Sequence, residues 1–370
     1  MIIGVVKEIK NQEYRVGLTP DNVKEFVRDG HTVLIETNAG IGVNFTDQKY
    51  IDAGAKIISS AKEVYDSSEM IVKVKEPLPS EYELLKPNTI LFTYLHLAAN
   101  PELLDVLLKK NITGIAYETI EDKHGALPCL RPMSEIAGRL SIQEGAKYIE
   151  STYGGKGILL GGVPGVERGK VTIIGGGTAG TYATKVALGM GANVTILDKS
   201  MSRLEYLNDI FGNAVTTLYS SPTNIDRCCR NADLIVGCVL LPGSKAPKII
   251  SEEQVKQMKK GSVLVDIAID QGGCFETSHV TTHDDPIYIK HGVVHYCVGN
   301  MPGSVPFTST IALTNVTVPY GLILAKNGLK TALEIEPGLV KGVNTFEGHC
   351  TNKNLADSLK IDYKELSVLL

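Results

Sequence analysis

The stretch Val171-Thr-Ile-Ile-Gly-Gly-Gly-Thr-Ala-Gly180 decides the fold. Val171 to Ile174 is a short β-branched apolar run, the pattern of a buried strand. It passes directly into Gly175-x-Gly177-x-x-Gly180, then into a helical pattern with Ala179, Ala183, Val186, Ala187 and Met190 on one face. In that setting Gly175 allows a tight turn, Gly177 lets the backbone approach a pyrophosphate, and Gly180 lets helix and strand pack closely. The amides and the positive end of the helix dipole then face the phosphates. A second apolar run, residues 193–197, ends in Asp198, where a carboxylate can accept hydrogen bonds from an adenine ribose. The stretch is expected to bind a dinucleotide.

Composition bounds the rest. A chain of 370 residues suits two domains, and 43% hydrophobic with 21% charged residues describes an ordinary globular protein. A net charge of −4 without a basic tract argues against nucleic acid and anionic membrane as partners. The opening Met-Ile-Ile-Gly-Val-Val-Lys-Glu meets charge at once and lacks the pattern of a signal peptide. No apolar run is expected to reach the roughly 18 residues of a spanning helix. The seven cysteines, several inside apolar runs (Cys238, Cys297), read as small buried hydrophobes in a reducing compartment. The expected location is cytoplasmic.

Residues 1–128 alternate strand and helix patterns. Strands are expected at 2–6, 32–36, 56–58, 70–74, 89–95 and 112–116. Between them, Thr19-Pro20 opens a helix that stops at Gly30, and further helices fall near 47–54, 61–65 and 102–110. From about 129 the character changes. A long helix from Met133-Ser134 to about 151 is expected to be interrupted by Gly138 and Gly145, and a glycine-rich linker leads to the dinucleotide unit. That unit continues with strands at 234–238, 262–267 and 293–298 and a capping box at Ser251 and Gln254. The tail reads as helices returning to the first domain. The expected architecture is α/β with two doubly wound domains and a cleft between them. A Rossmann domain at 129–305 sits inside a discontinuous substrate domain at 1–128 and 306–370.

In open α/β sheets, ligands bind beyond the carboxyl ends of the strands. Arg15 lies in the polar loop after the first strand, Lys75 and His96 close two others, and Asp270 follows a strand of the dinucleotide unit. Each alone has an ordinary reading as a solvated loop residue, a core histidine or a helix cap. Together they make coherent chemistry. Arg15 and Lys75 could clamp a small carboxylate, His96 could exchange protons, and Asp270 could orient a water or an ammonium. The histidines His279, His283, His291 and His295 fall at i, i+4 spacing, but their segments are β-branched and turn-like, so no metal site is expected. The vicinal Cys228-Cys229 is no C-x-x-C motif.

Several longer motifs then carry a likeness. They are Gly4-Val-Val-Lys-Glu-Ile-Lys-Asn-Gln-Glu-Tyr-Arg-Val-Gly-Leu-Thr-Pro20, Val74-Lys-Glu-Pro77, Phe92-Thr-Tyr-Leu-His96-Leu-Ala, Arg131-Pro-Met-Ser-Glu-Ile-Ala-Gly-Arg139 and His295-Tyr-Cys-Val-Gly-Asn-Met-Pro-Gly303. From residue 1 to about 345 the chain resembles the alanine dehydrogenase and pyridine-nucleotide transhydrogenase superfamily. Asp266-Ile-Ala-Ile-Asp-Gln-Gly-Gly-Cys-Phe-Glu276 is similar to the alanine dehydrogenase branch. The resemblance implies NAD-dependent, reversible deamination of L-alanine to pyruvate and ammonia. It implies Arg15 and Lys75 on the substrate and His96 with Asp270 as the acid/base pair. Besides the glycine loop, it implies cofactor contacts from Ser134, Thr178, Ala179, Asp198, Arg203, Ser220, Val239, Leu240, Ile267, Ala268, Ile269, Asp270, Val298, Gly299, Asn300 and Met301. It also implies a homohexamer. Gly299 and Phe307 depart from the pattern, which has Ala and a basic residue there. Alternatives are a related reductive-amination enzyme acting on a bulkier 2-oxo acid or on lysine, a transhydrogenase nucleotide-binding part, or a catalytically silent nucleotide-binding or regulatory protein.

Overall fold

The apolar runs become strands at the expected places, and most of them stop earlier at their C-terminal ends. In the computed structural model, which describes residues 1–239 and 246–370, they are β1 (Ile2–Val5), β2 (Thr32–Glu36), β3 (Lys56–Ile58), β4 (Met70–Val72), β5 (Ile90–Thr93) and β6 (Thr113–Ala116). There follow β7 (Lys170–Ile174), β8 (Asn193–Asp198), β9 (Val215–Tyr219), β10 (Leu234–Gly237), β11 (Val263–Asp266), β12 (Ile287–Lys290) and β13 (Val293–Tyr296). The tail adds β14 (Val343–Phe346) and β15 (His349–Cys350). Lys75, His96 and Asp270 lie, as expected, in the loops beyond β4, β5 and β11.

The chain forms two compact units, Met1–Met133 with Val305–Leu370, and Ser134–Ser304. The first holds the sheet β15-β14-β6-β5-β4-β1-β2-β3, parallel from β6 to β3. The second holds β12-β13-β11-β10-β7-β8-β9, parallel apart from β12. Renumbered within each unit, both parallel runs have the order 3-2-1-4-5-6, the doubly wound arrangement. The order reverses between β1 and β4 in one unit and between β7 and β10 in the other.

Each unit has its own apolar core. Ile71, Leu91, Leu103, Leu107 and Ile112 are buried together in the first, and Ile174, Leu197, Ile235, Leu264 and Phe275 in the second. Local signals fix the helices. Thr19 caps Pro20–Arg28 in a reciprocal box with Asn22, and Ser251 does the same with Gln254 for Glu252–Lys256.

Two expectations are corrected. The helix Arg131–Tyr148 is uninterrupted, and its glycines serve packing: a Cβ on Gly138 would lie 2.2 Å from the Ala179 carbonyl oxygen, and one on Gly145 2.6 Å from Leu234. The tail is more than helices, since β14 pairs antiparallel with β6 and β15 with β14, widening the first sheet. The segment Pro306–Ile335, kinked at Gly328, is long and apolar enough by length and composition to cross a membrane, as the core helix of a globular protein also is. Its Leu313, Val318, Leu324 and Ala325 are buried.

Candidate active site

The dinucleotide loop begins where β7 ends. Gly175 has φ of +102°, which L side chains rarely adopt, and a Cβ on Gly180 would sit 1.9 Å from the Gly175 carbonyl oxygen. Gly177 caps the helix Thr178–Gly189 without any side-chain bond to its first amides, and a Cβ there would meet nothing within 4 Å. Uncapped amides beneath open space fit an anion such as a pyrophosphate.

Asp198, at the end of β8, accepts from Gly176 N at 2.7 Å and from Ser200 N at 2.8 Å. Arg203 donates to the Gly176 carbonyl and, at 2.7 Å, to Thr181 Oγ1. Ser220, after β9, returns its amide to Asp198 O at 2.9 Å. Val239 follows β10, while Leu240 lies outside the described residues. Ser134 sits one turn before Gly138, the residue in closest approach to Ala179, on the same face of its helix.

Ile267, Ala268, Ile269 and Asp270 form a 3-10 turn after β11, with Asp270 exposed. The turn is held by Asp266, wholly buried, which accepts from Ala268 N, from Cys274 N at 2.8 Å and from Ser278 Oγ at 2.6 Å. Burial pushes the Asp266 carboxyl above its usual range, against the pull of those donors. Val298, Gly299, Asn300 and Met301 follow β13. Asn300, with φ of +57°, donates its amide to the Asp270 carboxylate at 3.2 and 3.3 Å. Gly299 leaves room for this, since a Cβ there would lie 3.1 Å from Asp270 Oδ1. All these described loops leave the C-terminal ends of the parallel strands.

The first unit gathers the other candidates in the same way. Arg15 is 2% exposed and grips Glu13 with two parallel bonds of 2.6 Å, from Nε and from the guanidinium NH2, while NH1 reaches Met133 Sδ at 3.2 Å. Burial works against its charge, and the Glu13 hydrogen bonds and charge more than restore it. Lys75 is half-buried. His96 has φ of +47°, sparsely populated for a residue with a side chain. Glu118 compensates by accepting from His96 N at 2.7 Å and from Leu95 N at 3.2 Å, with its Oε1 4.0 Å from His96 Nδ1. The imidazole stacks on Tyr94, rings 5.8 Å apart and 7° from parallel, and its side chain is 40% exposed.

Glu8, Lys73, Glu81, Glu118 and Asp266 were not identified from sequence as site residues. Glu8, Lys73, Glu81 and Asp266 are buried and Glu118 is half-buried, and each is engaged in hydrogen bonds or ion pairs that no local pattern announces. The four spaced histidines are engaged in different ways. His279 stacks on Tyr288, His291 pairs with Glu252 at 2.6 Å, and buried His295 bonds Thr277 Oγ1 at 2.8 Å. Among the described residues, no group of three or more His, Cys, Asp or Glu could hold a metal ion. Phe307 is exposed and packs on Phe45.

Two doubly wound sheets, one carrying an uncapped glycine turn at its order reversal, define a dinucleotide-binding α/β protein. The family model for the alanine dehydrogenase/PNT N-terminal domain matches residues 4–137, and that for the C-terminal domain matches residues 141–353. An alanine dehydrogenase of Methanococcus maripaludis is 58% identical over 364 residues, 98% of each chain. Alanine dehydrogenase 2 of Staphylococcus aureus is 54% identical over the full length of both. A solved L-alanine dehydrogenase superposes with a TM-score of 0.94 at 53% identity, covering 97% of this chain and 99% of its own. The chain belongs to the alanine dehydrogenase/PNT family.

Proposed function

We propose that the protein catalyses the reversible, NAD-dependent oxidative deamination of L-alanine to pyruvate and ammonia. The observation that carries this reading is the convergence of Arg15, Lys75 and His96 on loops beyond β1, β4 and β5, around the order reversal of the first sheet. Full-length identity above half with proteins named alanine dehydrogenase supports the choice of substrate.

NAD, when bound, supplies the acceptor for the hydride leaving the alanine Cα. The uncapped amides at Gly177 and beyond hold its pyrophosphate, and Asp198 holds the adenine ribose. Ser134, Thr178, Ala179, Arg203, Ser220, Val239, Leu240, Ile267, Ala268, Ile269, Val298, Gly299, Asn300 and Met301 complete that seat in this reading. Arg15 and Lys75 hold the substrate carboxylate, the former already fixed in direction by Glu13. Loss of the Cα hydride leaves an iminium; Asp270 positions the water that adds to it. His96 takes and returns the protons as the carbinolamine collapses to pyruvate and ammonia. Most of the rate comes from placing these groups at reacting distance.

Asp198 repels a 2′-phosphate, so NAD is preferred to NADP. A homohexamer and a cytoplasmic setting complete the reading; light scattering would give the mass of the assembly. The decisive experiment follows absorbance of reduced nicotinamide with NAD and each common amino acid in turn. Alanine is expected to be the preferred substrate. Preference for a larger amino acid, or hydride exchange between two nucleotides without alanine, would overturn the assignment.

A further inference from the structure

The pairing of β4 with β1 ends at Val72 opposite Val5, although the chain runs on to Lys75. Lys73 N still reaches β5, donating to Phe92 O at 3.2 Å, so the next amide turns toward the side that β1 has vacated. A carboxylate replaces the missing strand there. Glu8 Oε1 accepts from Val74 N at 2.6 Å and from Lys75 N at 3.3 Å. The carbonyl of Lys75 is tied from the other side, by buried Thr93 Oγ1 at 3.1 Å. The Lys75 backbone is therefore held at both its nitrogen and its carbonyl oxygen.

Glu8 is itself anchored. Its Oε2 lies 3.3 Å from Lys73 Nζ, a wholly buried ammonium that also donates to Glu81 Oε1 at 2.8 Å. Glu81 is fixed by Tyr65 OH at 2.9 Å and by Leu78 N at 2.9 Å. Two buried carboxylates around one buried ammonium are a costly way to fill a core, because apolar side chains of similar volume stabilise as well or better. What apolar residues could not do is accept hydrogen bonds from two consecutive amides of an active loop.

We propose that Glu8 is a positioning residue for substrate binding: its carboxylate, anchored on buried Lys73, fixes the Val74–Lys75 backbone and so aims the Lys75 ammonium at the substrate carboxylate. The inference rests on the assignment of Lys75 to the substrate. Its test is steady-state kinetics with pyruvate, ammonia and NADH for Glu8→Ala, Glu8→Gln, Lys75→Ala and the double variant Glu8→Ala/Lys75→Ala, with NADH binding measured separately by fluorescence.

Glu8→Ala is expected to raise the pyruvate KM about tenfold, with a smaller change in kcat, as loss of a buried charged hydrogen bond entails. NADH affinity stays within about twofold, because the nucleotide loops belong to the other unit. Glu8→Gln keeps an oxygen for the Val74 amide and recovers most of the loss. In the double variant the KM is no worse than in Lys75→Ala alone, since Glu8 acts through Lys75. Should Glu8→Ala fail to fold, Thr93→Val releases the Lys75 carbonyl, the other backbone tie of the same residue, and is expected to raise the pyruvate KM about threefold. An unchanged KM in Glu8→Ala, or in Thr93→Val if it must stand in, would overturn the inference. So would equal losses in Glu8→Ala and Glu8→Gln, or multiplicative losses in the double variant. A wild-type KM in Lys75→Ala would bring down the assignment of Lys75 itself, a separate and recognisable failure.

Discussion

His96 and Asp270 are placed by different means. The imidazole is held through its own backbone, bent to positive φ and tied by Glu118, whereas Asp270 is held through its carboxylate by the Asn300 amide. Removing either side chain should spare the scaffold. His96→Ala and Asp270→Asn are expected to lower alanine turnover by about 10³-fold or more while NADH still binds, as fluorescence titration would show. Retained turnover in either variant would remove that residue from the mechanism. His295 offers a prediction of another kind. Burial lowers its pKa to about 4, the Val293 carbonyl opposing this only in part. The unfolded chain, with an ordinary histidine near 6.5, then binds a proton that the folded chain refuses between pH 6.5 and 4. Stability should therefore fall as pH drops through that window and level off below it, by up to about 3 kcal/mol from this one group. Urea midpoints at pH 7 and pH 5 would show the fall, and His295→Gln should flatten it. The positions of Arg15, Lys75, His96 and Asp270 were legible because each is a polar residue in the loop that follows a strand-like run. Their supporting carboxylates were not, since Glu8 lies 66 residues in sequence from the Val74 amide it accepts from.

At the scale of elements, local chemistry and close packing gave different degrees of legibility. Thr19-Pro20 and the Ser251 box state their own helix starts, because capping is settled within four residues. Gly138 says nothing of the kind. Low helix propensity made it read as an interruption, yet the helix runs through it because tertiary contact requires a residue without a Cβ against Ala179. β14 and β15 escaped notice for a related reason: four-residue β14 gains its stability from β6, far away in sequence, and two-residue β15 only adds to β14 once that is in place. Gly138→Ala tests the packing account. Alanine should favour the isolated helix, but its methyl must displace backbone, so the variant is expected to lose about 1–3 kcal/mol of stability. NADH affinity should weaken with it, because the displaced backbone belongs to the first turn of the nucleotide helix. A variant as stable as the parent in thermal melts, with unchanged NADH affinity, would refute this.

Across the whole molecule the same strand order appears twice, and the loops at the two reversals carry different groups. At the β7–β10 reversal the loop offers bare amides, suited to phosphate; at the β1–β4 reversal the loops offer Arg15 and Lys75, suited to a small carboxylate. The alternation of strand and helix made this architecture legible, because a parallel sheet requires crossovers and crossovers show as periodic helices. The choice of ligand was less so, since both reversals obey one rule and only side chains distinguish them. Because each sheet has its own core, the two functions should fail separately. Lys75→Ala is expected to raise the pyruvate KM by about tenfold or more while NADH affinity changes less than about twofold. Gly180→Ala should do the reverse at the level of binding, because its methyl would be driven into the Gly175 carbonyl and distort the phosphate seat. The comparison is made by titrating each variant with NADH in the absence of pyruvate, then measuring pyruvate KM at saturating NADH where saturation is reached. If Lys75→Ala lost NADH binding as severely as Gly180→Ala, the division of labour between the two sheets would be wrong.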